Sequence, residues 1–65
     1  MSQEQSTDAM SIDSRQNIFR ALVEAQDSGQ SVAASRGEIA RQFSISENVV
    51  KDIEREGLAN QWPPL

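Results

Sequence analysis

The chain has 65 residues, with six basic and ten acidic side chains, no cysteine and no histidine, and a formal net charge of -4. So short a chain forms one small domain at most, and without Cys or His neither disulfides nor zinc can stabilise it. No apolar run approaches the roughly 20 residues of a membrane span, and the N-terminus lacks the features of a secretory signal. We therefore expect a soluble, cytoplasmic protein with no membrane partner.

Residues 1–11 are rich in Ser and Gln and contain few apolar side chains. Such a segment buries too little apolar surface to offset the entropy lost on ordering, so we expect a disordered acidic tail. Glu4 and Asp8, with Asp13 just beyond the tail, contribute -3 to the net charge. Beyond Asp13, the expected domain, residues 12–65, carries six basic and seven acidic side chains and is nearly neutral.

The first predicted helix covers about residues 14–28. Asp13 and Gln16 have the spacing of a capping box, and Gly29 is placed to end the helix in a left-handed conformation. Between them, apolar side chains recur on one helical face, at Ile18, Phe19, Leu22, Val23 and Ala25. This amphipathic pattern predicts a helix that packs its apolar face against the rest of the chain.

A loop over residues 29–34 follows, in which we expect Val32 to contact the core. Ser35 and Glu38 again have capping-box spacing and predict a second helix over about residues 36–43. The pattern then breaks at a short turn, which predicts a boundary between two helices.

Ser46 is predicted to cap a third helix over about residues 47–56, with Gly57 at its end. No segment has the alternating pattern of a strand longer than three residues. We therefore predict an all-α fold, a small three-helix bundle.

The second and third helices have the spacing of a helix-turn-helix. Apolar residues stand at the offsets needed to hold two short helices across a tight turn, and a small alanine stands where the helices cross: Ile39, Ala40, Phe43, Ile45, Val50 and Ile53. Ser44 occupies the turn position where glycine is commonest, because positive φ carries no Cβ penalty there. The predicted bundle therefore contains a helix-turn-helix.

Residues 35–58 also resemble the last DNA-binding region of bacterial sigma factors. The resemblance lies in Glu-Ile-Ala at residues 38–40, Phe-Ser-Ile-Ser at 43–46, Val50, Ile-Glu at 53–54 and Gly-Leu at 57–58. It implies that residues 46–55 form a recognition helix that contacts base edges in the major groove.

On a helical wheel, Val49, Val50 and Ile53 face inward, and the opposite face carries residues whose charges sum to zero: Glu47, Asn48, Lys51, Asp52 and Arg55. Asn can bond adenine, and Arg or Lys can bond guanine. The candidate DNA-contacting residues are Arg36, Arg41, Ser46, Asn48, Lys51 and Arg55. The function this predicts is a small transcription regulator that binds double-stranded DNA, as a homodimer where two half-sites must be spanned.

The neutral outer face supports a second interpretation, in which the chain is a protein-interaction module, an adaptor or anti-repressor that does not bind DNA. The C-terminal segment 61–65 is ambiguous in the same way. Either the Trp62 ring packs onto the core near Leu58 and the first helix, or Trp62 and Leu65 form a docking tail for a protein partner.

Catalysis is not expected. The chain has no His, Cys or Tyr, no glycine-rich phosphate loop and no carboxylates at metal-loop spacing. A three-helix core also offers no sizeable pocket for a substrate. We therefore predict no enzyme activity, no metal and no cofactor.

Overall fold

A computed structural model of the chain describes residues 10–65. Over these residues the chain forms three helices, α1 (Ile12–Asp27), α2 (Val32–Phe43) and α3 (Glu47–Asn60), with no strand. Each helix contacts the other two, which confirms the predicted all-α three-helix bundle. None of the three is long and apolar enough to cross a membrane.

The core takes apolar side chains from all three helices and from the C-terminal segment. Phe19, Leu22, Val50 and Ile53 have no exposed surface. The rings of Phe19 and Trp62 pack edge to face, with their centroids 6.0 Å apart. Trp62 is only 6% exposed, so its ring packs on the core, as the first of the two interpretations predicted.

Each helix begins after a serine whose hydroxyl accepts a hydrogen bond from the backbone N–H three residues further on. The capping residues are Ser11, Ser31 and Ser46. This contact satisfies one of the backbone donors that a helix leaves unpaired at its start. The cap at Ser46 is confirmed, whereas the cap predicted at Asp13 is wrong, because Ser11 starts α1 and Asp13 lies in its first turn.

The predicted start of the second helix is also wrong. Ser31 caps α2, so Ser35 lies one turn inside the helix and is fully buried. Its hydroxyl donates to the Val32 carbonyl at 2.8 Å and accepts from Gln26 Nε2 at 3.1 Å, which joins α1 to α2. Val32 is not in the core as predicted but is 47% exposed at the first position of α2.

All three helices end in the same backbone motif. Gly29, Ser44 and Gln61 adopt positive φ angles of 108°, 58° and 54°. The following N–H donates to a carbonyl five residues back in each case, at 3.3 Å, 2.9 Å and 3.0 Å, which is the Schellman hydrogen bond. The predicted left-handed residues Gly29 and Ser44 are confirmed.

Gly57 does not end the third helix, as the sequence pattern had indicated. It is buried inside α3, and a Cβ built on it would lie 2.3 Å from Cδ1 of Phe19. The helix continues for another three residues to Asn60. Gly57 is therefore a packing residue that admits the Phe19 ring.

The predicted tail, residues 1–11, falls mostly outside the described residues, which begin at Met10. Met10 itself packs against the core, and its carbonyl accepts a hydrogen bond from Arg15. Met10 and the α1 cap Ser11 therefore contact the domain that was predicted to begin at residue 12.

Candidate nucleic-acid interface

The helix-turn-helix positions fall where the spacing predicted. Ile39 and Ala40 on α2 are buried together with Val50 and Ile53 on α3. The two remaining apolar positions, Phe43 and Ile45, are partly buried against this core. Residues 44–46 connect the helices, and the left-handed conformation of Ser44 reverses the chain between them. The outer face of α3 is thereby held at a fixed orientation to α2.

That outer face is exposed as predicted. Glu47, Asn48, Lys51, Asp52 and Arg55 are all exposed, whereas Val49, Val50 and Ile53 are buried. Ser46 is also exposed, but its hydroxyl already accepts the Val49 N–H as the helix cap, at 3.2 Å. The Ser46 hydroxyl therefore retains its proton and one lone pair for a ligand.

Three of the predicted contact residues have free side chains. Arg41 and Lys51 are exposed and have no ion-pair partner among residues 10–65. Asn48, in the first turn of α3, makes no side-chain hydrogen bond within the same part of the chain. These side chains offer two cations and one amide to an incoming ligand without first breaking a contact.

The other two predicted cations are paired with carboxylates. Arg36 contacts Oε1 of Glu54 through both Nε and Nη2 at 2.8 Å, and its side chain is 29% exposed. Arg55 contacts Asp52 at 3.2 Å one turn away, with both side chains more than half exposed. An exposed pair contributes about 0–1 kcal/mol, so Arg55 can be released at little cost. Arg36 is held more firmly because its pair is partly buried.

Between α2 and α3 lies an open depression of about 250 Å³, which we call the α2–α3 depression. Its lining residues are Arg36, Lys51, Glu54, Arg55 and Leu58. Glu54 and Leu58 were not among the predicted site residues. Their spacing along α3 places them on the face that carries Lys51 and Arg55, a signal that was present in the sequence.

A third ion pair lies away from this surface and joins the first turn of α1 to the second half of α3. Arg15 on α1 contacts Glu56 on α3 at 3.0 Å. Among residues 10–65, no group of His, Cys, Asp or Glu side chains is placed to hold a metal ion.

At the C-terminus, the two residues predicted to dock a partner differ in how exposed their side chains are. Trp62 is buried, whereas Leu65 is 59% exposed. A partner at this end of the chain would therefore contact Leu65 and not the tryptophan ring.

Comparison with known proteins adds no assignment. No protein-family model, no curated protein and no solved structure matches this chain.

Proposed function

We propose that this chain is a DNA-binding helix-turn-helix regulator that places the N-terminal half of α3 in the major groove. The observation that carries the proposal is the set of free side chains around the turn. Arg41 lies in the last turn of α2, and Asn48 and Lys51 lie in the first two turns of α3. Arginine and lysine suit phosphates and guanine, and asparagine suits adenine.

The resemblance of residues 35–58 to the last DNA-binding region of sigma factors supports the same proposal. The apolar positions on which it rests, including Ala40 and Ile53, are buried at the junction of α2 and α3. Core positions argue for the fold more strongly than for the function. The exposed side chains of Arg41, Asn48 and Lys51 therefore carry the functional argument.

The affinity of a monomer for DNA should be low. Each phosphate contact lowers the logarithm of the binding constant by about 0.9 per tenfold rise in salt. With Arg41 and Lys51 as the two unpaired cations of the interface, the expected slope is about -2. We propose that specific sites are bound by a homodimer on two half-sites spaced one helical turn apart.

The test is a fluorescence-anisotropy titration of the full chain against a random double-stranded DNA pool, at about 50 and 200 mM salt. We expect roughly tenfold weaker binding at the higher salt concentration. Lys51→Ala and Arg41→Ala should each weaken binding and reduce the salt slope by about one.

Arg20→Ala is the matched control, because Arg20 is an exposed cation on α1 with no ion pair among the described residues. It should leave the affinity and the salt slope close to those of the parent. If Arg20→Ala weakens binding as much as Lys51→Ala does, the attraction depends only on overall charge and α3 is not the binding element. Absence of binding at the lower salt concentration would reject the proposal.

The second candidate function is a protein-interaction module. It is favoured by the charge balance, since residues 10–65 hold eight acidic and six basic side chains and two of the predicted contact cations are paired. Domains that bind DNA usually present a basic face. A protein-interaction module would not bind the DNA pool even at about 50 mM salt. Its apolar contact with a protein partner, measured in a separate titration, would be nearly independent of salt.

A further inference from the structure

We propose that the α2–α3 depression is a docking site for an acidic peptide segment of a partner protein, with one apolar side chain of that segment packed against Leu58. This goes beyond the proposed DNA contact, which depends on Arg41, Asn48 and Lys51, because of these three residues only Lys51 lines the depression. The depression extends along α3 from Lys51 to Leu58.

The charge of the depression favours an acidic occupant. Arg36, Lys51 and Arg55 line it with a single carboxylate, that of Glu54, and Asp52 beside it pairs with Arg55, which leaves a local charge of +1. The chain as a whole has a net charge of -4, so this concentration of cations is a local exception. Complementary charge steers association and disfavours partners of the wrong sign.

The size and the apolar residue of the depression favour a peptide over a small molecule. Its volume of about 250 Å³ is below the roughly 300–1,000 Å³ of pockets that enclose drug-sized ligands. That space suits one or two side chains of an extended segment. Leu58 lines the depression and is 56% exposed, so an apolar side chain seated there would cover it.

The hydrogen bonding of Glu54 distinguishes a peptide from a nucleic-acid backbone. Both contacts from Arg36 go to Oε1, and no hydrogen bond reaches Oε2 from the residues that the structure describes. A peptide has backbone N–H groups that can donate to Oε2. A phosphodiester has no hydrogen-bond donor for this oxygen. Glu54 therefore selects for a peptide at this position.

Lys51, Arg36 and Arg55 are also candidate DNA contacts, so a peptide in the depression and DNA on α3 would compete. For that reason the test uses no DNA. A display library of random nonapeptides is panned on the immobilised full chain, and enriched sequences are resynthesised with a fluorophore for anisotropy. We expect enriched peptides to carry several Asp or Glu residues around a Leu, Ile or Phe.

Matched variants locate the binding site. Leu58→Ala should lower the affinity for the selected peptides about tenfold, because it removes most of the apolar contact. Ile12→Ala removes a similarly exposed apolar side chain at the start of α1, outside the depression, and should leave the affinity unchanged. Lys51→Ala should weaken binding about fivefold, while Arg20→Ala on α1 should not change it. Circular dichroism of each variant confirms that the fold is intact.

Three results would overturn the proposal. In the first, no peptide is enriched, or the enriched peptides have no acidic excess. In the second, Leu58→Ala and Ile12→Ala have the same effect. In the third, the chain is a dimer in light scattering and Leu58→Ala makes it monomeric, which would identify a second copy of the chain as the occupant.

Discussion

Gly37 and Gly57 both lie inside helices, where glycine costs about 1 kcal/mol relative to alanine. Only Gly57 has a structural reason to be there. A Cβ on Gly57 would lie 2.3–2.7 Å from three atoms of the Phe19 ring, which is itself fully buried. A Cβ on Gly37 would meet only the ends of two long side chains, those of Glu47 at 3.4 Å and Arg41 at 4.0 Å.

The same substitution at these two glycines should therefore have opposite effects. Gly57→Ala should destabilise the domain by about 1–3 kcal/mol through overpacking against Phe19. Gly37→Ala should stabilise it by up to about 1 kcal/mol, because the helix propensity improves and the neighbouring side chains can move. Urea unfolding followed by circular dichroism measures both. Equal shifts of the unfolding midpoint would show that Gly57 does not accommodate the ring.

At the scale of the helices, the C-terminal motifs differ in the residue that adopts positive φ. α1 uses Gly29, whereas α2 and α3 use Ser44 and Gln61, for which this conformation is strained. A left-handed conformation costs a residue with a Cβ about 1–2 kcal/mol, and the cost is met by the hydrogen bond to the helix carbonyl. Serine at position 44 is therefore less stabilising than glycine would be in the turn of the helix-turn-helix.

Ser44→Gly should stabilise the domain by about 0.5–1 kcal/mol, since relief of strain exceeds the added entropy of the unfolded chain. The melting temperature should rise by several degrees for a domain of this size. Ser28→Gly is the control, because Ser28 has a negative φ and its hydroxyl bonds the Ala25 carbonyl. It should lower the melting temperature. A fall in the melting temperature of Ser44→Gly would mean that the serine side chain stabilises the turn.

At the scale of the whole molecule, the C-terminal segment completes the core. The Trp62 ring packs edge to face with Phe19, and the backbone N–H of Trp62 donates to the Gly57 carbonyl where α3 ends. Two further contacts tie distant parts of the chain together, Arg15 to Glu56 and Gln26 to Ser35. In a 65-residue chain without disulfides, each such contact is a large share of the total stability.

Trp62→Ala should destabilise the domain by about 3–5 kcal/mol, the usual cost of truncating a buried aromatic side chain. Since small domains are stable by only about 5 kcal/mol, most of the helical circular-dichroism signal should be lost at 37 °C. Leu58→Ala changes an exposed side chain and should shift stability by less than about 0.5 kcal/mol. A Trp62→Ala variant as stable as Leu58→Ala would contradict the placement of the ring in the core.

The number and order of the helices were determined by the sequence alone, because the apolar spacing of each helix and the cap at Ser46 are local signals. The inward positions of α3 followed for the same reason. The left-handed turn at Ser44 was also predictable, since residues 39–53 carry the helix-turn-helix spacing on both sides of it.

Only the tertiary structure decided the role of residues whose partners are distant in the chain. Ser35 has the spacing of a cap but is buried and hydrogen-bonded to Gln26 of α1, and Gly57 has the pattern of a helix end but admits Phe19. Likewise, Arg36 is paired with Glu54, 18 residues away, which reduces the charge it can offer to an anionic ligand. Local spacing determines a helix, whereas the exposure and charge of its surface depend on which other helices pack beside it.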